Sequence, residues 1–561
     1  MIEETLRQLV RDAIAKAGGD LGLPEIPADV AIGIDTPRDK RFGDFSTNVA
    51  LALAGRIGGQ PRNVAQAIVA GIPAGGILAA EPEVAGPGFI NFRLRDDWLH
   101  DVLREAVERG DAYGRSPSTG VSAQVEFLSA NPTGPLHIGH ARNAALGDAL
   151  ARLLEAAGFS VEREYYFNDA GGQMELFGAS VEARYLELIG READVPEDGY
   201  HGEYVVDVVR DIVGRFGDSL ADLPAAERHA RLRAEGARVV LAGIERTLDR
   251  FGVRFDTYKS EGELAASGEI EAAVARLREA GAVYDADGAV WFRSSAYGDD
   301  KDRVLIRSNG LHTYFAADCA YIVDKFARGF DRLVYVWGAD HHGDVRRVTG
   351  AAQAMGYDAA ALEMVLYQFV SFLRAGEPVK MSKRAGTFIS LDELIDEVGA
   401  DAARFTLLSQ SNDSAMAFDI DVVKRQSMDN PVYYVQYGHA RIASILRTAA
   451  DRGVVLRPVN DVDLSRLEDE AELDLLRGIS ELPGLIRTAA ELRAPYKLTH
   501  YAQDLAARFH RFYTACRVLS DDEELTQARL WLSRATKQSI ANVLGLLGVS
   551  APESMEREDA A

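Results

Sequence analysis

Two histidines three positions apart, His137 and His140, stand where an alternating apolar stretch (Val121, Ala123, Val125, Phe127) gives way to a long Ala/Leu-rich one. Between the two stretches lies Asn131-Pro132-Thr133-Gly134-Pro135, a tight Pro/Gly loop. A strand–loop–helix of this kind sets the imidazoles at the first turn of a helix. There the open N–H groups and the positive end of the helix dipole receive anions such as phosphate. The chemistry that fits is phosphate contact, with charge stabilisation during attack at the α-phosphorus of a nucleotide. Pro135 and Gly139 belong to the same surface; at Gly139 a side chain would stand where a base approaches the backbone. A zinc pair at this spacing is the rival chemistry, but no third ligand is evident. Two polar residues capping a helix is the bland alternative. His-x-Gly-His alone says little, and its strand–loop–helix setting is what makes it specific.

The second group is Lys380-Met381-Ser382-Lys383-Arg384. Two ammonium groups on a loop can clamp a triphosphate and neutralise departing pyrophosphate, with Met381 anchoring the loop on apolar surface. Alone, such a run is as readily a solvated basic turn. Together with the histidines it completes a grip on phosphates from two sides. Gly338-Ala339-Asp340-His341-His342-Gly343 follows the apolar run Leu333–Trp337, the position past a strand end where open parallel sheets bind ligands. Gly338 and Asp340 are candidates there, Asp340 for ribose hydroxyls. Tyr314 and Asp318 are four apart and share a face if helical, although spacing alone favours a core tyrosine and a surface aspartate. Tyr433, Tyr437 and Arg441 interleave rings and charge as base-stacking surfaces do, and as helix cores also do. Burial of some and exposure of others is expected.

These residues need elements to hold them. At 561 residues the chain exceeds one core and predicts three or four domains. A first module spans 1–115: a helix through Leu6, Leu9, Val10 and Ile14 closed at Gly18-Gly19, then Gly43–Asn48 running into an Ala-rich helix, then turn and strand over Val84–Phe92. A breaker-rich linker, Gly114–Gly120, leads to a region 121–420 of alternating strand and helix. That is the mark of a parallel sheet with crossover helices, an α/β Rossmann-like class. A charged helical insertion is expected at about 175–285. From 421 to 561 the pattern is helical and predicts a bundle.

Composition narrows the classes. Hydrophobic content of 47% with 26% charged residues is that of a soluble globular protein, and no apolar run is long enough to cross a bilayer. With no signal-peptide form at the start, a cytoplasmic location is expected and no membrane partner. Only Cys319 and Cys516 occur, which supports neither a disulfide framework nor a cysteine-rich zinc site. The formal charge of −24 argues against sequence-blind nucleic-acid binding, though a specific binder can confine its cations to one face.

Taken together, the motifs resemble those of a class I aminoacyl-tRNA synthetase, specifically the bacterial arginyl type. His137–His140 stands where the class carries its HIGH signature, and Lys380–Arg384 is similar to its KMSKS loop. Glu126–Gly134, the segment Tyr314…Asp318 with Tyr321 and Asp324-Lys325, the N-terminal Gly43–Asn48 and Ala85–Phe92, and the C-terminal Tyr501…Tyr513 and Leu546–Val549 resemble further parts of that family. The resemblance implies ligation of arginine to tRNA(Arg) through an arginyl-adenylate, with ATP as substrate, Mg²⁺ on the phosphates and no zinc. It implies catalytic roles for His137, His140, Lys380 and Lys383, with Pro135, Gly139, Gly338, Asp340, Met381 and Ser382 also on ATP. It implies arginine contacts from Glu126, Asn131, Tyr314, Asp318 and His342 (where family members often carry Gln), and tRNA contacts from Asn48, Tyr433, Tyr437 and Arg441. A monomer, with the first module on the tRNA elbow and the bundle on the anticodon loop, completes the expectation. A nucleotidyltransferase or ligase of the same superfamily, and a catalytically silent RNA-binding relative, are the competing readings.

Overall fold

Five parallel strands form the largest sheet: β1 (Ser122–Glu126), β2 (Ser160–Phe167), β3 (Thr257–Ser260), β4 (Arg332–Gly338) and β5 (Leu362–Tyr367), in the order β5-β4-β1-β2-β3 among the described residues. The computed structural model describes residues 2–21, 30–37, 39–379, 388–425 and 427–555. The helix expected after β1 runs from Ala141 to Ala156 behind a 3-10 turn at Ile138–His140. Covered by its surroundings, it leaves only Arg152 and Glu155 unburied along its length. It lies so close to the end of β1 that a Cβ on Gly147 would overlap the Phe127 ring.

The stretch expected to be a helical insertion over 175–285 is not continuous. Helices Gly171–Leu188, Glu203–Phe216 and Ala225–Arg250 form the crossover from β2, and the chain then returns to the parallel sheet as β3. Thr257-Tyr258-Lys259-Ser260 is too short and too polar to stand out as a strand among helices. Beyond it, two short helices precede an antiparallel three-stranded sheet of Val283–Ala286, Ala289–Phe292 and Arg303–Ile306, and then the Tyr314–Ala327 helix.

Residue contacts divide the chain into two compact units. One comprises residues 1–110, 448–480 and 508–538, the other 111–447, 481–507 and 539–561. In the first, helix Ile2–Leu21 runs on through Gly18-Gly19 instead of stopping there. Its Ala13 lies against Gly71, where a Cβ would come 2.8 Å from the Ala13 carbonyl oxygen. The strand expected within Val84–Phe92 is a hairpin, Glu83–Ala85 with Phe89–Phe92, and Phe45–Thr47 pairs on its other side. The C-terminal part is helical, with Pro431–Asp451, Glu470–Glu491, Tyr496–Ala515 and Glu523–Leu547 as its long elements. Both cysteines are buried thiols. No helix among the described residues is long and apolar enough to cross a membrane.

In the second unit a fully buried guanidinium joins three segments. Arg404 donates to the carbonyls of Leu547 and Phe251, both at 3.0 Å, and pairs with Asp148 in the Ala141–Ala156 helix. Arg152 approaches the same carboxylate at 2.8 Å. Removing one partner of a buried pair leaves its charge and polar neighbours uncompensated. Arg404→Met is therefore expected to cost about 3 kcal/mol, read as a lower urea midpoint. Arg404→Lys should recover only part, since an ammonium cannot span all three acceptors. A midpoint equal to the parent's would show this junction to be dispensable.

Candidate active site

β1 and β4 are neighbours, and from them the chain winds outward in opposite directions, to β2 and β3 on one side and β5 on the other. A ligand crevice opens at such a reversal, outside the carboxyl ends of the two strands. The histidine loop leaves the end of β1, and Gly338–Gly343 leaves the end of β4. Asn143 ties the two ends together. Its Oδ1 accepts from Leu128 N at 2.8 Å, and its Nδ2 donates to the Val336 carbonyl at 3.1 Å. Leu128 and Ser129 have φ of 68° and 43°, a region that ordinary side chains rarely adopt. Tyr165 holds the next residue, its hydroxyl donating to Ala130 O at 2.7 Å and accepting from Ala130 N at 3.1 Å.

The histidines cap their own helix reciprocally. His137 Nδ1 accepts from Gly139 N and His140 Nδ1 accepts from His137 N, each at 3.1 Å, with ring centroids 3.9 Å apart. A backbone N–H can only donate, so both Nδ1 atoms carry lone pairs and each ring bears its proton on Nε2. Capping thus uses one edge of each ring, and the expected phosphate contact would use the opposite one. Gly139 is required for a reason closer than the one expected: a Cβ there would stand 2.8 Å from His137 Cε1.

Lys380, Met381, Ser382, Lys383 and Arg384 lie outside the described residues. The chain on either side is placed. Val379 N donates to Phe372 O at 3.0 Å, and the segment after residue 387 pairs with the histidine loop itself. Ile138 N donates to Ile389 O at 3.0 Å and Leu391 N to Leu136 O at 2.9 Å, with Phe388 6.1 Å from the His137 ring centroid. Ser390 then caps helix Leu391–Val398 in a box with Glu393.

Asp318 sits one turn into the Tyr314–Ala327 helix, half-buried. Its surroundings are acidic. Burial first, then the charges of Glu261, Asp344 and Glu126, push its carboxyl from the ordinary 3.8 to about 7, with Arg347 acting the other way. Burial also raises Glu261, whose Oε2 accepts from the Tyr166 hydroxyl at 3.1 Å. Tyr166 stacks on Tyr321 with centroids 4.2 Å apart. Glu126 is differently placed. It is buried and paired with the buried Lys325 at 2.6 Å, whose ammonium lies 4.3 and 4.0 Å from the Tyr321 and Tyr335 ring centroids. Lys325 also lies 3.7 Å from Glu164.

The remaining expected residues lie in several separate elements. Asn131 donates to Gln173 and accepts from Asn168 N, linking the loops after β1 and β2. Tyr314 is 63% exposed at the start of its helix, so it is neither the core residue that spacing favoured nor enclosed in a pocket. Asp340 and His342 are exposed, Pro135 half-buried, and Gly338 is buried where a Cβ would come 3.4 Å from the Phe369 ring. Tyr433 is buried while Tyr437 and Arg441 are half-buried; the two rings stack at 6.3 Å and Arg441 lies over Tyr437. Asn48 is exposed beside helix Val49–Ile57 in the other unit. Sequence reasoning missed Glu261, Tyr166, Asp344 and Asn143, none of which stands in a motif. The one available signal was that Tyr166 and Glu261 fall at the carboxyl ends of β2 and β3.

The raised Asp318 carboxyl has a consequence for stability. Between about pH 4 and pH 7 the folded chain keeps a proton that the unfolded chain releases. The group's contribution is favourable at low pH and is lost as pH climbs through that window. Asp318→Asn is expected to melt higher than the parent at pH 8, with the gap narrowing toward pH 4. Equal melting temperatures at pH 8 would contradict the crowding of acids around this site.

Three family models match the chain: the arginyl tRNA synthetase N terminal domain over residues 4–94, the catalytic domain of class I (R) tRNA synthetases over 109–427, and the DALR anticodon binding domain over 435–555. The arginine–tRNA ligase of Moorella thermoacetica is 50% identical over 99% of this chain and all of its own length. That of Carboxydothermus hydrogenoformans is 47% identical over 97% of this chain and 98% of its own. The solved arginyl-tRNA synthetase of Thermus thermophilus superposes with a TM-score of 0.77 at 25% identity, over 99% of this chain and all of that one. Matched by the catalytic model over more than half its length and by relatives from end to end, with the signature histidines at the sheet's reversal, the chain belongs to the class I arginyl-tRNA synthetase family.

Proposed function

We propose that this chain activates arginine with ATP over the β1–β4 crevice and passes it to tRNA(Arg), and that the acids around Asp318 select the amino acid. The family membership gives the arginine–tRNA ligase activity. The assignment of residues is ours, and one observation carries it: Asp318 lies among the acids Glu261, Asp344 and Glu126, beside the sheet whose β1 loop presents the histidine pair. A guanidinium entering there would relieve the crowding and bond carboxylates bidentately. Asp318 and Glu261 take the guanidinium, Tyr314 and His342 stand at the rim, and Asn131 serves the other end of the amino acid. Glu126, already engaged by Lys325, supports the pocket.

The reaction needs no protein nucleophile. The arginine carboxylate attacks the α-phosphorus in line, pyrophosphate leaves, and the arginyl group moves to the terminal ribose of tRNA, first to the 2′-hydroxyl in the manner of this class. The chain's task is positioning and charge stabilisation. His137 and His140 donate from Nε2 to phosphate oxygens. Lys380 and Lys383, with Met381 and Ser382, are assigned to the phosphates. Pro135, Gly139 and Gly338 border the nucleotide, and Asp340 takes ribose hydroxyls. Mg²⁺ enters on the phosphates of ATP as part of the substrate. Asn48, Tyr437 and Arg441 contact tRNA, with the buried Tyr433 backing the Tyr437 ring, within a division into 1–115, 121–420 and 421–561. A cytoplasmic monomer that needs tRNA for activation completes the reading.

Arginine-dependent pyrophosphate exchange, with tRNA present and withheld, tests this assignment; exchange with another amino acid in preference to arginine would end it. His140→Asn keeps an acceptor for the His137 N–H and loses the ring donor. It should lower the exchange rate about 100-fold while arginine affinity changes little, and equal loss in both would remove the transition-state role. The pocket makes a separate forecast. Protonation of Asp318 below pH 7 removes the attraction for a guanidinium, so KM for arginine should rise about tenfold from pH 8 to pH 6. Asp318→Asn should flatten that slope and lower kcat/KM by on the order of 10⁴-fold. An unchanged slope would shift the contact to another acid.

A further inference from the structure

The helices between β2 and β3 have no part in the reaction as described, yet they reach the histidine loop. Tyr204 lies in the first turn of the Glu203–Phe216 helix. Its hydroxyl donates to the Thr133 carbonyl at 2.8 Å. Its ring covers Gly134 so closely that a Cβ there would stand 3.1 Å from Cζ and from the hydroxyl oxygen. The same ring is 6.4 Å from Phe388, which in turn meets His137 edge-on at 6.1 Å. Burial pushes the phenol's pKa up, so it stays a neutral donor. At the far end of the same stretch Thr247 donates to Asp392 at 2.5 Å, and Arg250 pairs with Asp392 and Asp396. These acids lie in the helix that begins where the chain leaves the histidine loop.

We infer that Tyr204 is a positioning residue for adenylate formation, clamping Thr133-Gly134 and Phe388 so that the His137 ring stands where the phosphate arrives. The inference rests on the reading of His137 as a phosphate contact. The loop it holds has two prolines without N–H groups and no ladder of its own, and Thr133 is almost fully buried. Its backbone bonds to the 388–391 segment begin only at Leu136, so side-chain contacts from outside set the course of Thr133-Gly134. A shift of about 1 Å at a reacting group costs about 100-fold in rate.

Exchange kinetics on the full chain, with tRNA present, decide the matter. Tyr204→Ala should lower kcat about 100-fold while KM for arginine stays within about twofold of the parent and the chain remains folded. Tyr204→Phe keeps the ring and loses the hydroxyl, so an intermediate loss of roughly fivefold is expected. Combined with Phe388→Ala, Tyr204→Ala should cost less than the product of the single losses, as contacting residues do. Three results overturn the inference: an unchanged kcat in Tyr204→Ala, losses that multiply in the double variant, or a fall that tracks only loss of folded protein while Tyr204→Phe matches the parent. A parent chain without arginine-dependent exchange would instead overturn the functional reading, and this inference with it.

Discussion

One buried amide sets the spacing on which the site depends. Asn143 is the third residue of the helix after the histidines, and it bonds the end of β1 on one side and the body of β4 on the other. Any parallel sheet that reverses its winding has a crevice at the reversal. What converts the crevice into a site is that its two walls cannot drift apart. With Leu128 and Ser129 held in a left-handed conformation, the chain turns sharply upward at once, and the Pro/Gly loop delivers the histidines over the gap. Strain of this kind persists only when its surroundings over-determine it, and here Asn143 and Tyr165 do so.

Charge is then distributed in two contrasting ways within a short span. Glu126 and Glu164 are buried and offset: Lys325 serves both, and Glu164 further accepts from Gln124, Arg328 and Tyr321. These acids are fixed equipment. Asp318 and Glu261 face one another's repulsion with weaker compensation, and both are held above the usual carboxylate range. A scaffold that neutralises some buried acids with care and leaves others in conflict has stored free energy that an incoming cation releases. On the proposed assignment, arginine relieves this conflict and a neutral amino acid does not.

Much of this was legible beforehand, and the reasons differ by residue. His137, His140 and the loop before them are contiguous, so their strand–loop–helix setting could be read directly, as could β1 from its alternation and β4 from its apolar run. Gly338–Gly343 was found because it ends a strand. Glu261, Tyr166 and Asp344 were not, since they come together only when β2, β3 and the His342–Ala354 helix are assembled, and no spacing along the chain announces it. The strand β3 was lost in the helical stretch for the same reason, having four residues and no alternation worth the name. Gly18-Gly19 misled in the opposite direction. Glycines weaken a helix by about 1 kcal/mol each, and packing of Leu6, Val10 and Ile14 on one buried face carries the helix past them.

The histidine loop shows why capping and chemistry need not compete. Each imidazole spends one nitrogen on the backbone, which fixes both the ring's angle and its tautomer; the opposite nitrogen must then be a donor, the polarity a phosphate oxygen requires. The strand-like pairing of Ile138 with Ile389 adds a second constraint, because the segment following the basic signature is bonded to the very turn that holds the rings. Segments some 250 residues apart in sequence are thus joined by backbone hydrogen bonds, Ile138 with Ile389 and Leu136 with Leu391, so the turn that carries the imidazoles is held by main chain as well as by side chains.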